Sequence, residues 1–151
     1  MNREEKIKKL LKIAHKQIGK PYIYGAYLQK DKGKGPEGFD CSSFTKYVFS
    51  KVGVEIPRAS IDQAVKTEGK KIEGIGKAEL GDLIFFLGNR GHYRYDESKK
   101  NLVLVGHVGI YTGDGNIIHA ADNSAAKEVI EHPLSILPNP PYKIVLIKRL
   151  I

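Results

Sequence analysis

Residues 106–120, Gly-His-Val-Gly-Ile-Tyr-Thr-Gly-Asp-Gly-Asn-Ile-Ile-His-Ala, contain two apolar runs on either side of a glycine-rich turn. Runs rich in β-branched and aromatic residues that are joined by Gly and Asp predict a β-hairpin. If His107 and His119 pair directly, residues 112–114 form the loop, and both imidazoles project from the same face. The stretch therefore predicts two antiparallel strands that carry neighbouring histidines.

The rest of the chain places helices before residue 81 and strands after it. Apolar stripes and capping residues predict helices at 2–18, at 41–52 and from Ser60, with Ser60 and Gln63 spaced as a capping box. Further strands are predicted at 82–87, 102–105 and 143–149, and the turn-rich segment 20–39 as a loop. This order predicts an α+β domain, with N-terminal helices packed on a mainly antiparallel sheet of about five or six strands. Without a repeat or a visible boundary, residues 1–151 are predicted to be a single domain.

The composition limits the classes of partner. The 151 residues carry a formal net charge of +8, and lysines crowd the first predicted helix. Such a surface either attracts anionic polymers or is simply solvated. No nucleic-acid-binding motif accompanies the lysines, and no apolar run is long enough to span a membrane. We expect a monomer without metal or cofactor. No signal peptide is visible, so the localisation stays open between the cytoplasm and export by another route, unless a leader was removed.

Cys41 is the single cysteine, which excludes an internal disulfide. It follows Asp40, a good N-cap, at the predicted start of a helix, where free N–H groups and the helix dipole lower a thiol pKa. The Asp40 carboxylate opposes this effect, so a cation is expected nearby, and His107 and His119 can supply it. A thiol at a helix start, a His on a strand and a polar third residue form the arrangement of papain-like catalysis. The alternative is a small buried apolar residue.

Six short motifs support the catalytic interpretation. They are Gly19-Lys20-Pro21-Tyr22-Ile23-Tyr24-Gly25, Asp40-Cys41-Ser42-Ser43-Phe44, Pro57-Arg58-Ala59-Ser60 with Gln63, Gly81-Asp82-Leu83-Ile84-Phe85-Phe86, Gly106-His107-Val108-Gly109-Ile110-Tyr111 and Ile117-Ile118-His119-Ala120. In this order they resemble the motifs of the NlpC-type cell-wall cysteine peptidases. The resemblance implies a compact papain-like domain that cuts the stem peptides of peptidoglycan. The bond it implies lies between γ-linked D-glutamate and diaminopimelate or lysine.

The resemblance also implies roles for individual residues. Cys41 is then the nucleophile that forms an acyl-enzyme, His107 the base, and His119 the residue that orients the base. Tyr22 matches a tyrosine near the nucleophile that helps to bind the oxyanion or the substrate. The expected partners are peptidoglycan peptides or muropeptides, with anionic wall polymers on the basic surface.

The match is not uniform along the chain. Asp40 and Ser42 match positions that contact the amine of a free N-terminal alanine in those members that require one. Ser43 and Ala26 stand where the family usually has Gly. The stretch 88–101 is longer than usual, and we expect it to border the cleft and affect specificity.

Three alternatives remain open from the sequence. The same acyl-enzyme chemistry serves an amidase or an acyltransferase. Cys41, His107 and His119 are also acceptable zinc ligands, and a non-catalytic wall-binding module is the third alternative. The remaining conspicuous side chains are predicted to be surface, loop or structural residues: His15, His92, His132, Arg58 and Asp82.

Overall fold

The computed structural model describes residues 1–26, 35–88, 92–96 and 101–151, and for residues 92–96 and 101–102 it describes the backbone only. The helices are α1 (Arg3–Lys16), α2 (Cys41–Ser50) and α3 (Ser60–Val65). In the described part of the chain, no helix is long and apolar enough to cross a membrane.

The helix starts follow from their capping residues. Asn2 and Glu5 form a capping box at the start of α1, as Asp40 and Ser43 do at the start of α2. The capping box predicted for α3 is wrong. Its N-cap is Ala59, which has no side chain to accept a hydrogen bond, and Ser60 is already helical.

The strands are β1 (Lys70–Lys71), β2 (Leu83–Phe86), β3 (His92–Asp96), β4 (Asn101–Val105), β5 (His107–Gly113), β6 (Asn116–Ala120), β7 (Val129–Pro133) and β8 (Ile144–Arg149). Within the described residues, six of them form one antiparallel sheet in the order β1-β8-β2-β5-β6-β7. The predicted α+β architecture, with helices preceding a six-stranded antiparallel sheet, is confirmed.

The predicted register of the central hairpin is wrong by two residues. Ile110 pairs with Ile118 and Gly113 with Asn116, and a bulge lies between Tyr111 and Gly113. The turn is therefore the pair Asp114 and Gly115, which both have positive φ, at 52° and 78°. A two-residue loop with positive φ at both positions is the favoured hairpin turn. A shift by two keeps every side chain on its predicted face.

Four further strands differ from the prediction. The predicted strand at 102–105 does not join the main sheet; as part of β4 it pairs with β3 in a separate two-stranded sheet. This hairpin packs against α3. Residues 89–91 and 97–100 of the long stretch lie outside the described residues, so its role at the cleft stays a prediction. Strands β1 and β7, at the two edges of the main sheet, were not predicted, and neither was β3.

The main sheet buries apolar side chains on both faces, as alternation along its strands requires. Val108 and Ile110 of β5 and Ile118 of β6 belong to the cluster that also contains α1 and α2 residues, including Leu10, Phe44 and Val48. Side chains from alternate positions, such as Phe86, Tyr111 and Ile117, form a second cluster. Helix α2 packs against β5 and β6, so the start of α2 is held beside the strands that carry the two predicted histidines.

Candidate active site

Cys41 is the first residue of α2, and its environment follows from the capping box around it. The backbone N–H of Ser43 donates to Asp40 Oδ1 at 2.8 Å, and the Asp40 N–H donates to Ser43 Oγ at 2.9 Å. A glycine at position 43 would lack the second of these bonds. Ser43 therefore gives the nucleophile turn a reciprocal cap, and its own side chain is fully buried.

Arg58 is the cation that the sequence predicted near Cys41, although the sequence assigned that charge to the histidines. Its Nη2 lies 2.7 Å from Asp40 Oδ2, and its Nη1 donates to Ser42 Oγ at 2.8 Å. It also donates to the carbonyl of Ala26. The guanidinium thus connects Asp40 and Ser42, on either side of Cys41, with Ala26 in the segment that follows Tyr22. Whether Asp40 and Ser42 also hold a substrate amine stays a prediction.

Gln63 of α3 fixes the first turn of α2 from the other side. Its Nε2 donates to the carbonyl of Ser42 at 2.9 Å and to that of Pro57 at 2.8 Å, and its Oε1 accepts from Thr45 Oγ1 at 2.7 Å. Gln63 has no solvent exposure, so these bonds satisfy a fully buried amide. This inward role explains why Gln63 does not cap its own helix.

The two predicted histidines are in direct contact. His107 begins β5, His119 lies in β6, and Nε2 of His107 is 2.7 Å from Nδ1 of His119. Both rings are buried. Gly109 makes the contact possible: a Cβ at this position would overlap Ile117 and lie 3.0 Å from the Cβ of His119. The glycine of the base motif therefore gives His119 the space to approach His107.

The thiol of Cys41 lies next to the strand that carries His107. The backbone N–H groups of Val108, one residue after His107, and of Ser42 are close enough to the sulfur to lower its pKa. Among the described residues, no hydrogen bond joins the sulfur to the His107 ring. Because Nε2 of His107 is occupied by His119, the ring nitrogen left for proton exchange is Nδ1.

Burial keeps the thiol and the imidazoles uncharged. It raises the pKa of Cys41 to about 11, with a further increase from the Asp40 carboxylate, and this outweighs the two backbone hydrogen bonds and Arg58. Burial lowers the pKa of His107 to about 4. Burial and the neighbouring rings lower the pKa of His119 as well. The expectation of a lowered thiol pKa is therefore wrong, because desolvation exceeds the effect of the helix start.

This electrostatic state predicts a distinctive alkylation profile. We expect the rate of Cys41 alkylation by iodoacetamide to rise with pH toward about 11, and to stay below that of a free thiol at neutral pH. The reason is that only the thiolate reacts, and burial disfavours it. Cys41 is the single cysteine, so the mass of the intact protein reports the reaction directly. A rate that stays constant from mildly acidic to mildly alkaline pH would instead indicate a stable thiolate–imidazolium pair.

The neutral histidines also predict a loss of stability in acid. The unfolded chain protonates His107 near its ordinary pKa of 6.5, whereas the folded chain does so only near about 4. The contribution of His107 to the unfolding free energy should therefore be complete above pH 6.5 and decrease as the pH drops, by about 3 kcal/mol at pH 4. Urea unfolding across this range measures the slope. His107→Gln should flatten it, and a slope in this variant equal to that of wild type would contradict the assignment.

His132 is the functional candidate that the sequence analysis missed. It lies on β7, not in a loop, and its Nε2 is 2.9 Å from Nε2 of His119. The pair of β-branched residues Val129 and Ile130 was the available signal for this strand. His15, as predicted, lies on the surface, where it contacts Glu131. The side chain of His92 lies outside the described residues.

Tyr22 is brought close to the chain that leads into α2. It forms a parallel β-bridge with Phe39, two residues before Cys41, and its side chain packs against the cluster that contains Cys41. This position suits the predicted role with the oxyanion or substrate, which stays a prediction. Among the described residues, no group of three or more His, Cys, Asp and Glu side chains is arranged to hold a metal ion.

Comparison with known proteins gives one family. Its model, the NlpC/P60 family, matches residues 19–135. "Probable endopeptidase p60" of Listeria innocua serovar 6a is 40% identical over 114 residues, which cover 76% of this chain and 20% of that protein. A "Probable endopeptidase" of Corynebacterium glutamicum (strain R) is 33% identical over 129 residues, or 85% of this chain and 48% of that one. The chain thus spans less than half the length of these two curated relatives.

Solved structures agree with this result. The peptidoglycan hydrolase RipB of Mycobacterium tuberculosis superposes with a TM-score of 0.67 at 28% identity, over 100% of this chain and 69% of that chain. The P60 domain of an antigen from M. avium subspecies paratuberculosis gives a TM-score of 0.67 at 30% identity, over 97% and 95% of the two chains.

Proposed function

The chain belongs to the NlpC/P60 family, and on that premise we propose that it is a cysteine endopeptidase that hydrolyses the stem peptides of bacterial peptidoglycan. The observation that carries the proposal is the juxtaposition of two elements. The single thiol begins α2 beside β5, and the first residue of β5, His107, is hydrogen-bonded to His119 at 2.7 Å.

The proposed reaction uses each side chain for one task. Nδ1 of His107 takes the proton of Cys41 while the sulfur attacks the substrate carbonyl, which gives a tetrahedral oxyanion. The protonated His107 then donates to the leaving amine, and an acyl-enzyme remains. Water, deprotonated by the same nitrogen, releases the acid and regenerates the thiol. Because the resting thiol and imidazole are both neutral, the proton moves during the attack and not before it.

The orienting group in this mechanism is His119. It accepts the N–H of His107 and stabilises the positive charge that forms on that ring. Candidate donors for the oxyanion lie around the sulfur: the N–H groups of Val108 and Ser42 are close enough to lower its pKa, and Tyr22 bridges Phe39, two residues before Cys41. A water-poor site strengthens such donors.

We propose the bond between γ-linked D-glutamate and the diamino acid as the point of cleavage. The support is the correspondence of the six motifs and the identity with proteins named endopeptidase p60. The proposal treats residues 1–151 as one catalytic domain. The positively charged chain would also favour the acidic polymers of a cell wall, although that contribution weakens with salt.

Mass spectrometry of defined muropeptides tests the proposal. We expect two products separated at the D-glutamyl bond, whose masses together exceed that of the substrate by one water molecule. Addition of an amine to the acyl group in place of water would show an acyltransferase, and release of an intact peptide from its sugar would show an amidase. Pairs of substrates with a free and a blocked alanine amine also test the role of Asp40 and Ser42. Inhibition by a chelator but not by iodoacetamide would support the zinc alternative.

A further inference from the structure

Three imidazoles form a continuous hydrogen-bonded row across β5, β6 and β7. Nε2 of His107 is 2.7 Å from Nδ1 of His119, and Nε2 of His119 is 2.9 Å from Nε2 of His132. The row ends at Nδ1 of His132, which is 2.9 Å from the carbonyl oxygen of Pro133. Successive rings are nearly perpendicular, at 82° and 84°. The row therefore connects the candidate base to a backbone carbonyl at the edge of the sheet.

The carbonyl gives this row a direction. A carbonyl oxygen only accepts, so the hydrogen between His132 and Pro133 must be on Nδ1 of His132. In a neutral ring, Nε2 of His132 then has a lone pair and accepts the N–H of His119. Nδ1 of His119 is left with a lone pair and accepts the N–H on Nε2 of His107. The remaining nitrogen of His107, Nδ1, is unprotonated, as a base requires.

We propose that His132 is a positioning residue that selects the reactive tautomer of His107 through His119. The proposal rests on the proposed function for its kinetic consequences. His119 alone does not select a tautomer, since its ring can present either a lone pair or an N–H to His107. When it presents an N–H, His107 must accept at Nε2 and carry its hydrogen on Nδ1, where it can no longer take the thiol proton. His132 removes this second arrangement.

The position of His132 suits substitution. It is partly exposed on the edge strand β7, opposite Ile117 in the register, so changes there do not open the buried core. Its bond to His119 is nonetheless shielded, because His119 has no solvent exposure. A substitution at position 132 can therefore change the hydrogen-bond donors and acceptors at the end of the row while the buried rings stay in place.

Three substitutions at position 132 offer the His119 ring an acceptor, no partner, or only donors. His132→Gln places an amide oxygen near the site of Nε2 and still accepts from His119, so kcat should stay within about threefold of wild type. His132→Ala leaves the N–H of His119 to solvent, and kcat should fall about tenfold. His132→Lys offers only donors and forces the reversed row, so kcat should fall about 100-fold, more than in the alanine variant. KM should change little, because none of these residues is placed to contact substrate. His15→Gln is the matched control.

The tautomer itself can be measured without any substrate. In protein with ¹⁵N-labelled histidine, wild type and His132→Gln should show an unprotonated Nδ1 and a protonated Nε2 at His107. His132→Lys should show the reverse, and His132→Ala a mixture. Unchanged ring shifts of His107 in both the Lys and Ala variants would overturn the proposal, whatever the kinetics. If the tautomers respond as expected but no variant cleaves peptidoglycan peptides, the row is supported and the proposed function is refuted.

Discussion

Hydrolysis of muropeptides is expected to fall at least about 1,000-fold when Cys41 is replaced by alanine, because the chain has no other thiol to form the proposed acyl-enzyme. In the proposed reaction the sulfur bonds to the substrate, so His107 would have nothing to activate once the sulfur is lost. The muropeptide should still bind, because the substitution removes only the sulfur atom from the cleft. The measurement is single-turnover cleavage of a defined muropeptide, with the product quantified by mass.

The fold of this variant provides the control. Alanine fits the space of Cys41 and favours a helix, so the capping box of Asp40 and Ser43 should remain intact. The thermal unfolding midpoint should therefore stay within a few degrees of wild type. Ser50→Ala, at the opposite end of α2, is the matched substitution and should retain full activity. A Cys41→Ala protein that is folded and still cleaves at the wild-type rate would eliminate covalent catalysis.

The elements that could be predicted from the sequence are those whose signals are local. Asn2 and Asp40 mark the starts of α1 and α2, and the apolar runs mark β2, β5, β6 and β8. The register of the β5–β6 hairpin could not be predicted from loop length alone. The bulge after Tyr111 absorbs one residue, and the pair Asp114 and Gly115 forms a tighter turn than expected.

The site shows the same division between local and tertiary information. His107 and His119 lie on the predicted face of the sheet although the predicted register was wrong, because a shift by two residues keeps each side chain on the same face. The raised pKa of Cys41 could not be predicted from its position at the start of a helix, because the burial that raises it depends on packing against β5. Arg58 precedes α3 and His132 lies on the edge strand β7, which was not predicted. Their contacts with Asp40 and His119 are tertiary, so no local sequence pattern could predict them.

Substitutions of the two buried histidines should separate a base from an orienting group. His107→Ala removes the proposed base, which would take and return the proton, so kcat should fall by about 10³-fold. For His119 the outcome depends on which atom replaces Nδ1, which lies 2.7 Å from Nε2 of His107 and is the proposed acceptor of its N–H. In His119→Asn the amide oxygen lies near the position of Nδ1, and activity should stay within about tenfold of wild type.

The remaining variants at position 119 test the geometry of that single acceptor. In His119→Gln the amide oxygen extends toward the position of Nε2, on the His132 side, so this variant should be slower than His119→Asn. His119→Ala provides no acceptor and should be slowest of the three, about 100-fold below wild type. In the proposed mechanism, kcat/KM decreases at low pH as His107 is protonated near pH 4. His119→Asn should show the same decrease as wild type, because the base itself is unchanged. An alanine variant as active as wild type, combined with an inactive asparagine variant, would show that His119 is only a packed strand residue. The order Asn, Gln, Ala is expected because the acceptor must lie at the Nδ1 position, and a general loss of packing would instead penalise the smaller asparagine more than glutamine.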